Sequence, residues 1–180
     1  MKPIGPLMRE HRLIERMVTL LDAGLRQMSE RNKANVELLM AAVDFFRSYA
    51  DRTHHGKEED ILFRELAKKH LSQEHESTMN ELVKEHVLGR KMVSTLVNAT
   101  KTHSEGNLES LNAIITCVSE LVIFYPAHIE KEDKHFFYLA LEYLSKEEQD
   151  DMLEEFWEFD RKIIHEKYQG IVEELETRMA

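Results

Sequence analysis

Residues that interrupt helices are scarce in this 180-residue sequence, which has six glycines and three prolines. That scarcity argues against a loop-rich or many-stranded fold and leaves long helices as the expectation. A single cysteine, Cys117, excludes an internal disulfide and leaves too few thiolates for a cysteine-built metal site. Positive charge is also short: 24 Lys and Arg stand against 34 Asp and Glu, for a formal net charge of −10. A polyanionic backbone would be repelled, which argues against nucleic acid as a partner. No apolar run reaches the roughly 18–20 residues needed to span a bilayer, and the opening MKPIGPLMREHRLIERM lacks the apolar core of a signal peptide. These absences point to a soluble cytoplasmic protein with no membrane partner. The length suits a single domain that buries its core without disulfides. What is plentiful is histidine, with ten residues.

Apolar spacing predicts five helices. The first covers about 6–29, with Leu7, Ile14, Val18, Leu21 and Leu25 at helical intervals and Pro6 in its first turn. A polar RNKAN connection leads to a second helix over about 34–70, with Gly56 inside it. Ser72 is placed to cap a third, about 73–102, and Asn107 after the HSEGN loop to cap a fourth, about 108–144. Ser145 and Glu148 form a capping box that opens a fifth, about 146–177, whose apolar face carries Met152, Phe156, Phe159, Ile163, Ile164 and Ile171. Four long helices with short connections predict an all-α, antiparallel up-down four-helix bundle over 1–144. Residues 145–180 form a C-terminal helical extension, within a single domain overall, that packs on the bundle or mediates contact with a homodimer mate or another protein.

Two stretches repeat. DRTHHGKEEDILF (51–63) returns 74 residues later as YPAHIEKEDKHFF (125–137), pairing His54 with His128 and Glu58 with Glu132. Upstream, REHRLIERM (9–17) matches KEHVLGRKM (84–92) at an offset of 75, pairing His11 with His86. Helical residues four apart share a face, so each half offers two imidazoles and one carboxylate on inward-facing positions. Two histidines and a carboxylate make the ligand set of a non-haem iron site. Two halves related by a pseudo-two-fold axis set two metals side by side, with the glutamates bridging. Two buried carboxylates are prohibitive without cations. Imidazole and carboxylate without thiolate suit iron, with manganese or zinc as substitutes, rather than cuprous copper.

These segments resemble the hemerythrin-like, or HHE cation-binding, family. The resemblance is carried by REHRLIERM with His11, HHGKEEDILF with His54 and Glu58, KEHVLGR with His86, and HIEKEDKHFF with His128 and Glu132, over about residues 5–140. It implies an antiparallel four-helix bundle around two bridged iron ions, held by those six residues, and a function in binding or sensing O2 or in handling NO, peroxide or iron. One departure stands out. Hemerythrins of the oxygen-carrier type have a fifth histidine four residues from the other histidine of the third helix, where this chain has Leu82 and Arg90 flanking His86. The departure counts against reversible O2 carriage and leaves one iron with an extra open position, or one filled by another residue or water.

His55, His135 and His165 are the candidates for a fifth ligand. His55 with Glu59 keeps the four-residue spacing, but the repeat sets it against Ile129, so it reads as a surface or supporting histidine. His135 reads as a core or supporting histidine, and His165 lies near Tyr168 on the fifth helix. His70, His75 and His103 fall near predicted helix ends, where solvated histidines are ordinary. Gly89, three residues after His86, is expected to leave room for a small ligand beside the metal, the alternative being close helix packing. Glu10, Glu15, Glu85 and Arg90 read first as a solvated face, the alternative being hydrogen bonds that support the ligands. Ile61, Leu62, Phe63, Phe124, Phe136 and Phe137 read as an apolar shell.

The leading expectation is a cytosolic di-iron protein that binds or senses O2, with NO next. The alternatives are an enzyme for peroxide or NO detoxification or iron–sulfur repair, iron storage or delivery, and a purely structural metal site. A ferritin-like arrangement needs a second Glu-x-x-His beside Glu132-x-x-His135, and the sequence has none.

Overall fold

The structure, a computed structural model, describes the backbone of residues 2–179 and the side chains of residues 2–167 and 172. The expected positions of Tyr168 and Ile171 therefore lie outside the described side chains. Five helices follow one another: α1 (Ile4–Arg31), α2 (residues 36–66), α3 (Gln73–Ser104), α4 (Ser110–Tyr143) and α5 (Lys146–Met179). No strand occurs among the described residues.

The helix starts follow their capping chemistry. Asn35 accepts from the Leu38 amide and Ser72 from the His75 amide, each relieving an orphan donor of a first turn. The Ser145–Glu148 capping box is reciprocal: the Ser145 amide donates to Glu148 (2.8 Å) and the Glu148 amide to Ser145 Oγ (3.2 Å). Asn107 instead closes a turn on the Glu109 amide, and α4 begins at Ser110, later than expected. Helix α2 stops at Leu66, short of the expected residue 70.

The larger difference is inside the helices. Residues Phe46–His55, Glu58–Phe63 and Glu132–Phe136 are π-helical rather than α-helical. Hydrogen bonding to the fifth residue widens the turn, so successive side chains rotate by less than the roughly 100° of an α-helix. Apolar periodicity over a few residues cannot separate the two.

Helix α1 packs on α2 and α4, and α3 packs on α2 and α4, closing a ring. Two apolar clusters fill it. One contains Ile14, Leu21, Phe46, Leu96, Ile114 and Leu121, the other Leu7, Leu62, Leu82, Phe136, Phe137 and Phe156. Between them lies a buried polar layer. Each helix crosses that layer once: at His11 on α1, at His54–Glu58 on α2, at His86 on α3 and at His128–Glu132 on α4. Helices α1 and α3 run from the second cluster to the first, α2 and α4 from the first to the second. Cys117 is buried in α4 as a small core residue.

Against the expectation from apolar runs, α4 is long and apolar enough by length and composition to cross a membrane, with mean hydropathy 1.5. Its face with Leu111, Ile114, Val118, Leu121 and Ile129 is buried against α1 and α3, while less than half of the apolar window is buried and Ile123 is exposed.

Helix α5 lies along α2. Met152, Leu153 and Phe156 are buried, while Ile164, expected on the same face, is exposed together with Trp157. Ion pairs fasten α5 to α2: Arg64–Glu155 (2.7 Å), Arg52–Glu166 (3.0 Å) and Lys167–Asp44 (2.9 Å). Gly56 permits the closest approach, because a Cβ there would meet Phe159 Cζ at 2.6 Å.

Candidate metal centre

The polar layer is built from histidine pairs on neighbouring helices. All six residues singled out in the sequence are buried in it: His11, His54, Glu58, His86, His128 and Glu132. Their atoms gather in two groups, His11, His54, Glu58 and Glu132 in one and His55, His86 and His128 in the other, with ligand atoms within 4.8 Å of one another in each.

The two glutamates span the groups. Glu58 sets Oε1 3.3 Å from His54 Nε2 and Oε2 3.4 Å from His86 Nε2. Glu132 sets Oε2 3.1 Å from His11 Nε2 and Oε1 3.4 Å from His128 Nε2. None of these approaches is a hydrogen bond. The Nε2 atoms of His11, His54, His86 and His128 and all four oxygens of Glu58 and Glu132 are buried without a partner. Each of these eight orphaned polar atoms facing one centre costs about 1–3 kcal/mol. Every one is a lone-pair donor to a cation, so the residues present fit a metal site.

The other ring nitrogen of each histidine is held. His11 Nδ1 donates to Asp133 (2.8 Å), His54 Nδ1 to Glu10 (2.9 Å), His86 Nδ1 to Glu59 (2.7 Å) and His128 Nδ1 to Glu85 (2.8 Å). A carboxylate only accepts, so each Nδ1 carries a proton, and each ring in its neutral form turns a free Nε2 lone pair inward. Glu10 and Glu85 hold histidines of neighbouring helices, and Arg90 donates to Asp51 and Glu59 (2.6 Å each). Of the two expectations, the hydrogen-bonding role is the one these three take. Glu15 instead pairs with the exposed Arg12. The signal for the others was in the repeat, because Glu10 aligns with Glu85 and Glu59 with Asp133.

Electrostatics follow from the geometry. Burial and the charge of Glu132 push the Glu58 carboxyl well above the usual range. Burial works the same way on Glu132 but is outweighed by His128 and His11, which hold it low. Burial lowers His11, yet Asp133 and Glu132 outweigh it and raise its pKa to about 9. Burial and the nearby His11 lower His54 to about 4. Burial also opposes the charge of Glu10, Glu59 and Glu85, but hydrogen bonds from the histidines and their basic neighbours hold all three below the ordinary carboxylate range.

His55 is the main correction. It is buried, and its ring stacks on His86 at 3.9 Å between centroids, within the group of His86 and His128. The π-helical turn explains this, because a smaller rotation lets two consecutive residues, His54 and His55, both face the layer. His135 and His165, the other candidates for a fifth ligand, are exposed. At Gly89 the close-packing alternative is the one seen: a Cβ there would lie 3.2 Å from Phe124, whose ring stacks on His128, so the glycine makes room for an aromatic side chain between α3 and α4. A cavity of about 160 Å³ reaches His55 from the α2–α3 side, past Asp51, Arg90 and Tyr125.

No curated protein and no solved structure was found to match the chain. A family model, the hemerythrin HHE cation binding domain, matches residues 2–140, which include every residue of the polar layer. With the repeated histidines, the inward-facing glutamates and this match in hand, the chain belongs to the hemerythrin HHE cation-binding family.

Proposed function

We propose that this protein binds or senses O2, and next NO, at a carboxylate-bridged di-iron centre. In this reading His11, His54, Glu58, His86, His128 and Glu132 would be ligands, with His55 a seventh, and Glu58 and Glu132, whose oxygens face both histidine groups, would be shared between the metals. The observation that carries the reading is the set of eight buried, unpartnered atoms facing one centre. Iron at such a site supplies a redox couple for a diatomic ligand. The chain's own groups hold ring orientation through Nδ1, keep the site dry with Phe63 and Phe137 stacked beside His86 and His11, and leave one position short of a histidine. That position is the one held by His11 and His54, where the repeat places Ile129 as the counterpart of His55.

The alternation of the two apolar clusters along α1 to α4 supports an antiparallel up-down bundle. We read residues 145–180 as an extension of the same domain and place the protein in the cytoplasm. Metal content per chain after anaerobic purification, with absorption spectra before and after O2, tests the proposal. Two irons per chain and new visible bands on exposure are expected. Zinc, or one metal, would overturn it.

A further inference from the structure

The repeat supplies an internal control for the role of α5. Lys57 and Lys131 are counterparts, 74 residues apart, and each binds the carboxylate that holds a histidine: Lys57 binds Glu10, and Lys131 binds Glu85 at 2.5 Å. They differ in their second partner. Lys131 turns outward to the exposed Glu81 on α3 and is 26 % exposed. Lys57 turns to Asp160 on α5, with Nζ 2.7 Å from Oδ1, and is 0 % exposed. A fully buried lysine is tolerated only when paired, and removing one partner strands the others.

The surroundings of Lys57 are shaped for this contact. Its neighbour Gly56 stands where the second half has Glu130, and the missing side chain admits the ring of Phe159. The Phe156 ring covers Lys57 at 5.8 Å from Nζ. Glu10 divides its two oxygens, Oε2 to His54 and Oε1 to Lys57. Without Asp160, Lys57 would have only Glu10, and would compete with His54 for it.

We infer that Lys57 and Asp160 are positioning residues for His54, and that through them the docking of α5 and the occupancy of the metal centre are energetically linked. The inference rests on the reading of His54 as a metal ligand. The path is Asp160, Lys57, Glu10, His54: four side chains from three helices, each in contact with the next. A metal that fixes His54 favours the docked α5, and by reciprocity a docked α5 favours the metal by the same factor. In the second half the corresponding lysine ends on Glu81 of α3, within the bundle.

The test uses the full chain. Amide hydrogen exchange of residues 146–167 is measured with and without ferrous iron under anaerobic conditions, and iron affinity is measured by chelator competition. In the unaltered protein, iron is expected to slow exchange in 146–167 more than in residues 73–82, which flank the counterpart lysine. Asp160→Asn is expected to weaken iron binding about tenfold, the low end of the effect of losing an outer partner of a ligand. It should also remove the iron-dependent protection of α5 by a matching factor. Asp160→Glu should restore both, and Glu81→Gln should leave affinity within about twofold. Equal exchange in 146–167 with and without iron overturns the inference, a result that needs no variant to fold. So does an Asp160→Asn protein with native helicity and unchanged affinity. Failure of the unaltered protein to bind iron would instead overturn the functional reading and this inference with it.

Discussion

The two halves of the bundle start from the same pattern and end differently. Both carry a histidine, then His-x-x-x-Glu, and each imidazole is held by a carboxylate: Asp133 and Glu10 hold His11 and His54 of the first half, Glu59 and Glu85 hold His86 and His128 of the second. The first half has a histidine, His55, where the second has Ile129, and its lysine, Lys57, is the one paired with Asp160 of α5. The symmetric part is the part that any pair of metals needs. The asymmetric part would make two metals bound here chemically unequal, because three imidazoles gather in one group and two in the other.

The comparison breaks most completely if a shared group is removed. Glu132→Gln takes away a carboxylate that spans both groups, and metal content is expected to fall from two per chain to one or none. Elemental analysis of a variant with native circular dichroism checks it. The next largest effect comes from making the halves alike. Ile129→His should keep both metals and abolish azide and NO binding, because it fills the position that His55 fills in the other half. Titration followed by absorption decides, and undiminished azide binding would remove Ile129 from the open position.

Acid–base behaviour sharpens the same contrast between His11 and His54. With pKa values of about 9 and about 4, only His11 is protonated at neutral pH in the metal-free protein. Metal binding should release its proton and a further contribution from Glu58, so apparent affinity rises with pH up to about 9. Because the folded-state pKa of His11 lies above its ordinary 6.5, its contribution to metal-free stability is full below 6.5 and lost as pH rises through about 9. Calorimetry in buffers of different ionisation enthalpy counts the protons, and none released would contradict the assignment.

The smallest effects separate two glycines beside the layer, the half-buried Gly56 and the buried Gly89. Gly56→Ala sets a Cβ 2.6 Å from Phe159 and should destabilise by about 1–3 kcal/mol as α5 shifts. Gly89→Ala sets one 3.2 Å from Phe124 and gains about 1 kcal/mol of helix propensity, so it should be close to neutral. Thermal melts of the two variants rank them.

Much was legible from residue order. Five helices, the capping box at Ser145, the cap at Ser72 and the six buried histidines and glutamates all follow from local chemistry or from an exact spacing written twice. Local signals are read over a few residues, and a helix face repeats every three or four. Glu10, Glu85 and Asp133 were written in the same repeat, but an acidic residue beside a histidine looks alike whether it is solvated or turned onto a neighbouring helix.

The residues thus determined a helical chain with histidines and carboxylates on four inward faces. Tertiary structure decided which nitrogen of each ring is free, because the Nδ1 partner comes from another helix in every case. It also decided that His55 turns inward, since the π-helical turn that rotates it depends on packing more than on propensity. And it decided that Lys57, identical in the pattern to Lys131, is buried, because only the docked α5 brings Asp160 and Phe156 over it.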